Sequence, residues 1–182
     1  MLERFHLYRR FALFIGTFEP RKNIPSIIEA YSAIADQVEH DLVLAGSPGW
    51  LTGPIKQALA ASPVRDRIHY LGFVSNEEKS ALYHLADLFV YPSFYEGFGF
   101  PPLEALAAGT PVITSHNSSL PEVVGEWATL IDPYNVGELA LVMQELLQHP
   151  SIVTEKIKNQ LITTYSWHRT AEQTLEVLES VA

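Results

Sequence analysis

A chain of 182 residues is long enough for one α/β domain with a real core, or one domain plus an appendage. The net charge of −9 argues against a general nucleic-acid binder, and the absence of cysteine removes disulfides and thiolate metal sites. No apolar run approaches a membrane span, and Met1–Arg10 has no apolar stretch of the signal-peptide kind.

Six short apolar segments recur along the chain, with helical spacing between them. They are "FALFIG" (11–16), "DLVLAG" (41–46), "RIHYLG" (67–72), "DLFVYP" (87–92), "TPVITS" (110–115) and "ATLID" (128–132). Near-continuous apolarity of this sort marks strands buried on both faces. After the first strand, "PSIIEAYSAIADQV" sets Ile27, Ile28, Tyr31 and Ile34 on one helical stripe. After the third, "SNEEKSALYHLA" opens with Ser75 three residues before Glu78, a capping-box pattern. Helical stretches are expected over 135–149, 151–164 and 167–181. The last has an apolar stripe of Ala171, Leu175 and Leu178, with Trp167 as a large anchor at its start. Alternating β and α predicts a doubly wound, Rossmann-like parallel sheet of about six strands. The expected division is residues 1–10 as a linker, 11–164 as the domain and 165–182 as a C-terminal helix.

Gly16, Gly46 and Gly72 stand where the first three strands hand over to their loops. In such sheets, ligands bind beyond the carboxyl ends of the strands, where the strand order reverses. With an order 3-2-1-4-5-6, that crevice lies between strands 1 and 4. The loops flanking it are "TFEPRKN" and "SFYEGFGF".

Those loops carry the candidate chemistry. Gly97 and Gly99 let backbone approach a ligand closely, and Pro101 and Pro102 suit a helix start. Free N–H groups and the helix dipole there favour an anion such as a diphosphate. Carboxylates accept from hydroxyls, so Glu96 and Glu104 fit two sets of sugar hydroxyls, one on either side of the phosphates. Arg21 and Lys22 are adjacent cations suited to clamping the diphosphate and stabilising a leaving group. Ser118 and Ser119, in "HNSSLPEVVG", offer further donors. No histidine pair has metal-ligand spacing, and there is no GxGxxG after the first strand, no GxxxxGK[ST] and no GxSxG.

Glu96-x7-Glu104 within "EGFGFPPLEALAAGTPVI" resembles the E-x7-E motif of retaining GT-B glycosyltransferases, family 4. The likeness runs from about Phe11 to Ser180 and corresponds to the C-terminal, donor-binding half of that two-domain fold. It implies that Glu104 accepts from ribose hydroxyls, and that Glu96 with Gly97, Phe98 and Gly99 lies against donor sugar and diphosphate. It also implies that Gly16 and Thr17 line the site, and that Gly72, Phe73 and Val74 hold the base through backbone groups. Lys22 matches the family lysine, whereas Thr17 stands where many relatives have arginine. "EPRKN" resembles a mannosyltransferase subgroup, which tilts the donor toward GDP-mannose.

The catalytic candidates are therefore Glu96, Lys22 and Arg21. The substrate-binding candidates are Gly16, Thr17, Gly72, Phe73, Val74, Gly97, Phe98, Gly99, Glu104, Ser118 and Ser119. The expected function is hexose transfer, mannose foremost, from a nucleoside diphosphate sugar to a glycan or lipid-linked acceptor, without metal or cofactor. The resemblance further implies a missing N-terminal acceptor domain, so that this chain alone is inactive. It implies a cytoplasmic location, peripheral to the membrane in the full-length enzyme, and self-association through the C-terminal helix. The rival readings are a UDP- or ADP-sugar transferase domain, a nucleotide-sugar-binding module without catalysis, and a Rossmann-like interaction protein.

Overall fold

The computed structural model describes residues 2–50 and 52–181. The six apolar segments form six parallel strands: β1 (Phe11–Ile15), β2 (Asp41–Ala45), β3 (Ile68–Gly72), β4 (Leu88–Tyr91), β5 (Val112–Ser115) and β6 (Thr129–Ile131). Their order in the sheet is β3-β2-β1-β4-β5-β6. Every residue of β1, β2, β4 and β5 is buried, as their largely apolar sequences suggest. The edge strands β3 and β6 are only half covered. Aromatic rings fill the middle of the core, where Phe14 stacks on Tyr91 at 5.8 Å and Phe89 on Tyr91 at 5.7 Å between centroids.

Helix α1 (Ile24–Ile34) buries Ile27, Ile28, Tyr31 and Ile34, the stripe that its spacing predicts. Between β2 and β3 lies α2 (Gly53–Ala61), which buries Ile55 alone and so leaves a weak pattern in the sequence. Helix α3 (Asn76–Leu85) starts with the predicted capping box, Ser75 and Glu78 each satisfying the other's backbone N–H. Then follow α4 (Phe100–Ala108), α5 (Leu120–Val124), α6 (Val136–Gln148), α7 (Glu155–Thr164) and α8 (Trp167–Ser180). The expected helix at 151–164 begins only at Glu155, because the Thr154 hydroxyl accepts from the Ile157 N–H and caps it there.

Two expectations about the chain ends meet specific geometry. Within residues 1–10, the expected linker, Leu7 is buried, Phe5 packs on the core and Arg4 pairs with Glu78 of α3. Residues 4–7 therefore lie against the domain. At the other end, α8 buries no residue, and Leu175, Leu178 and Trp167 are all exposed. Trp167 is not an anchor in the core. Among the described residues, no helix is long and apolar enough to cross a membrane.

The strand ends fix where the loops begin. The Gly16 N–H donates to Ala45 O at 3.0 Å, and the Gly46 N–H to Gly72 O at 2.8 Å. This packing admits no side chain at Gly46: its φ is +138°, and a Cβ there would lie 2.0 Å from Gly16 O. Because β1 and β4 are neighbours at the reversal of strand order, the loops following them face each other. A hydrogen bond from Phe94 N–H to Arg21 O, 2.8 Å long, joins the two.

Candidate functional site

Past β1 the chain makes a short 3₁₀ turn, Pro20–Lys22, ended by Asn23 with φ +56°. The Asn23 side chain holds this turn from below, donating to Pro133 O at 2.7 Å. The turn aims Arg21 and Lys22 across the crevice at the loop after β4. Lys22 Nζ lies 2.6 Å from Glu96 Oε1, and Arg21 Nη1 lies 2.6 Å from Glu96 Oε2. Arg21 Nε also meets Glu19 Oε2 at 2.9 Å. Lys22 is buried, donates to the Tyr91 hydroxyl and sits 4.7 Å from the centre of that ring.

Burial opposes the charge on Glu96, but hydrogen bonding and charge from Lys22 and Arg21 outweigh it and hold the carboxyl below its ordinary range. Desolvation pulls the Lys22 ammonium below its usual value against the attraction of Glu96. The result is a buried carboxylate with a cation on each oxygen. From sequence, Glu96 and the two cations have separate duties, one toward hydroxyls and the others toward phosphate. The structure adds a direct contact between them: Glu96 is the nearest counter-charge to both cations.

The serines also bond the loop after β4. Ser119 Oγ lies 2.9 Å from Glu96 O and 2.7 Å from Phe98 O, and its single proton serves those carbonyls. Ser118, with φ +54°, accepts from the Glu96 N–H at 3.1 Å. Both hydroxyls brace the Glu96–Phe98 loop. The start of α4 is a poorer anion site than expected as well. Its first three residues are Phe100, Pro101 and Pro102, so two of the N–H groups that open a helix are missing. Gly99, with φ +113°, caps the helix, and a Cβ there would meet Leu120 Cδ2 at 2.8 Å. A Cβ at Gly97 would meet only open space.

Glu104 faces α3 from one turn inside α4. Lys79 Nζ lies 2.7 Å from its Oε1, and the Tyr83 hydroxyl 3.0 Å from its Oε2. Sequence reading assigned Glu104 alone and missed both partners. Their i, i+4 spacing within "SNEEKSALYHLA" was the available sign that they share a face. Glu19 and Tyr91 were also missed, and Tyr91 reads in sequence as an ordinary strand residue.

Of the remaining candidates, Gly16 and Thr17 stand at the β1 exit, with Thr17 exposed. Gly72 has φ +70° at the end of β3, Phe73 is exposed and the Val74 side chain is buried. Phe98 packs edge to face on Tyr165 at 5.9 Å. No group of three or more His, Cys, Asp or Glu residues that could hold a metal ion occurs among the described residues.

A family model for glycosyl transferases group 1 matches residues 4–166. The chain belongs to this family. It is 38% identical over 181 residues to O-antigen chain mannosyltransferase B of Escherichia coli, covering 96% of this chain and 47% of that protein. It is 34% identical over 168 residues to the MMP alpha-(1->4)-mannosyltransferase of Mycolicibacterium hassiacum, covering 88% and 40%. The chain thus spans less than half the length of either relative. Among solved structures, sucrose-phosphate synthase of Thermosynechococcus elongatus superposes with a TM-score of 0.85 at 24% identity, over 99% of this chain and 48% of that one. Anabaena Alr3699/HepE in complex with UDP gives 0.86 at 19% identity, over 98% and 51%. These likenesses are of fold: a Rossmann-like domain matching about half of each GT-B neighbour.

Proposed function

We propose that the chain is the nucleotide-sugar donor-binding domain of a retaining, family 4 glycosyltransferase, with mannose from GDP-mannose as the transferred sugar. The observation that carries this reading is the pairing of Arg21 and Lys22 with Glu96 across the β1–β4 switch point. Two cations converge there, one exposed enough to meet a ligand directly. The position is where an α/β sheet takes its ligand. A diphosphate supplies the anion that such a pair suits, and Arg21 offers it a two-pronged donor. In transfer, charge develops on the departing diphosphate, and fixed cations stabilise it most where water is excluded. Glu96, released from its cations, then faces the sugar together with the Gly97–Gly99 backbone. Glu104 takes the ribose hydroxyls, and the Gly72–Val74 turn takes the base.

Both described relatives are mannosyltransferases by name, which supports mannose. A UDP-sugar donor is the second reading, favoured by the solved HepE complexes with UDP and UDP-glucose. A glycan or lipid-linked acceptor would be held by a further domain, and transfer would need that domain. We place the reaction in the cytoplasm at the membrane face, and expect no metal requirement, since the phosphate charge is met by Arg21 and Lys22.

Calorimetric titration of GDP, UDP and ADP, each alone and as its hexose conjugate, with and without EDTA, tests this. One nucleotide should bind saturably, bind as well under chelation, and raise Tm by mass action. Failure of all three nucleotides to bind would remove the proposal, and loss of binding with EDTA would remove its metal-free part.

A further inference from the structure

Glu104 is not left to find its orientation unaided. Its side chain is 38% exposed, and its carboxylate is gripped from the α3 side by two donors of unlike character. Tyr83 is 2% exposed, and its ring packs edge to face on Phe89 at 5.2 Å between centroids. Its backbone oxygen accepts from the buried Thr110 hydroxyl, in the turn that follows α4. The tyrosine is thereby fixed to both ends of the structure it must align, α3 and α4. Burial and the Glu104 charge raise its phenol well above the ordinary tyrosine value, so it remains a donor at every working pH. Lys79, with 31% of its side chain exposed, holds the other oxygen.

We infer that Tyr83 and Lys79 are positioning residues that aim the Glu104 carboxylate at a ribose diol. The inference rests on the donor-binding reading above and deepens it. An ionised carboxylate has about four acceptor sites. Tyr83 takes one on Oε2 and Lys79 one on Oε1, so each oxygen keeps one site. Two neighbouring hydroxyls of a ribose need two acceptor sites side by side, and one site left on each oxygen supplies that number. Without the two donors, the Glu104 side chain is free to turn about its own torsions, and the diol then bears the entropy of fixing it. The grip therefore acts on ribose recognition and hardly at all on phosphate or sugar contacts.

The test compares the tightest binder among GDP, UDP and ADP with its 2′-deoxy analogue, in the full chain and three variants. The wild type should prefer the ribonucleotide by roughly tenfold or more, as expected for a hydrogen bond to a charged acceptor. Glu104→Ala should bring the preference close to unity. Tyr83→Phe and Lys79→Met should each lower it by roughly threefold while binding of the deoxy analogue stays unchanged, and Lys79→Arg should restore it. A purely structural role would lower Tm and weaken both nucleotides together, leaving the ratio intact. If Glu104→Ala removes the preference but Tyr83→Phe and Lys79→Met keep it, the positioning role is wrong while donor binding stands. If Glu104→Ala keeps the preference, Glu104 does not read the ribose and the inference falls with it. If no nucleotide binds, the donor-binding reading itself has failed. Should Tyr83→Phe not fold, Lys79→Met decides alone.

Discussion

Replacing Lys22 by methionine isolates the contribution of the buried pair to stability. Lys22 is 6% exposed, and its ammonium lies 2.6 Å from a carboxylate oxygen whose side chain is 8% exposed. Removing one member of a fully buried pair costs about 3–5 kcal/mol, because the other charge is left in a poor solvent. Here Glu96 keeps Arg21 on its second oxygen, so the cost should fall to about 2–3 kcal/mol. For a chain of this size, that corresponds to a Tm lower by about 4–12 °C. Arg21→Ala removes a cation whose side chain is 41% exposed and screened by water, and should cost no more than about 1 kcal/mol. The double variant Lys22→Met/Glu96→Gln orphans no charge and should recover at least half of the single loss. Urea denaturation of these three variants, of Glu96→Gln alone and of the wild type measures all three quantities. If Lys22→Met costs less than Arg21→Ala, or if the double variant shows the plain sum of its two singles, the pair is not the buried unit described.

Burial holds the His40 imidazole below its ordinary range, and neither ring nitrogen has a hydrogen-bond partner. The unfolded chain therefore takes up this proton first, so stability should be full above about pH 6.5 and decline as pH falls below it; His40→Leu should flatten that part of a denaturation series run from pH 8 to 5, and an unchanged slope would reject it. Gly46→Ala should destabilise by about 3 kcal/mol or more, since its Cβ would lie 2.0 Å from Gly16 O. Gly97→Ala, by contrast, enters open space and should leave Tm within about 2 °C while weakening nucleotide-sugar binding; equal binding would mean that no donor approaches this backbone. Ending the chain at Tyr165 should leave Tm nearly unchanged, because α8 buries nothing, and should abolish any self-association seen by light scattering. A drop in Tm with an unchanged oligomeric state would place α8 in the core.

Much of the sheet is legible in the sequence because its physics is one-dimensional. A strand covered on both faces is largely apolar, with the buried Asp41, Thr114 and Ser115 as hydrogen-bonded exceptions, and "FALFI" and "LFVY" are apolar throughout. Burial then follows from composition alone. The helix start at Ser75 is legible for the same reason, since a cap is a contact within four residues. The candidate site is legible only in part. The Glu96–Gly99 loop stands out because glycine and proline placed beside a carboxylate are costly unless the backbone conformation requires them. What the carboxylates touch is hidden, because the partners lie 74 and 25 residues away in sequence, at Lys22 and Lys79. Reading the ends of the chain meets another limit. An apolar stripe such as Leu175 and Leu178 reports that a helix has a face to cover, and not where the cover comes from.

On the donor-binding reading, the Glu96 pair also constrains how affinity can arise. A diphosphate placed on Arg21 and Lys22 brings like charge close to Glu96. At about 4 Å and an effective dielectric of about 20, that repulsion is on the order of 4 kcal/mol. The carboxylate cannot keep its contacts with Arg21 and Lys22 and tolerate the phosphate beside it. It must turn away, and the groups then able to receive it are hydroxyls, which donate to a carboxylate where phosphate oxygens cannot. A bare nucleoside diphosphate displaces Glu96 without offering it a partner, whereas a sugar conjugate does both. The conjugate should therefore gain on the bare diphosphate by more than its extra contact area, and Glu96→Gln, which carries no charge to relocate, should narrow that gap. Titrating the diphosphate and its conjugate against both proteins measures it. A gap that stays the same in Glu96→Gln would show that the carboxylate charge plays no part in choosing the sugar-bearing ligand.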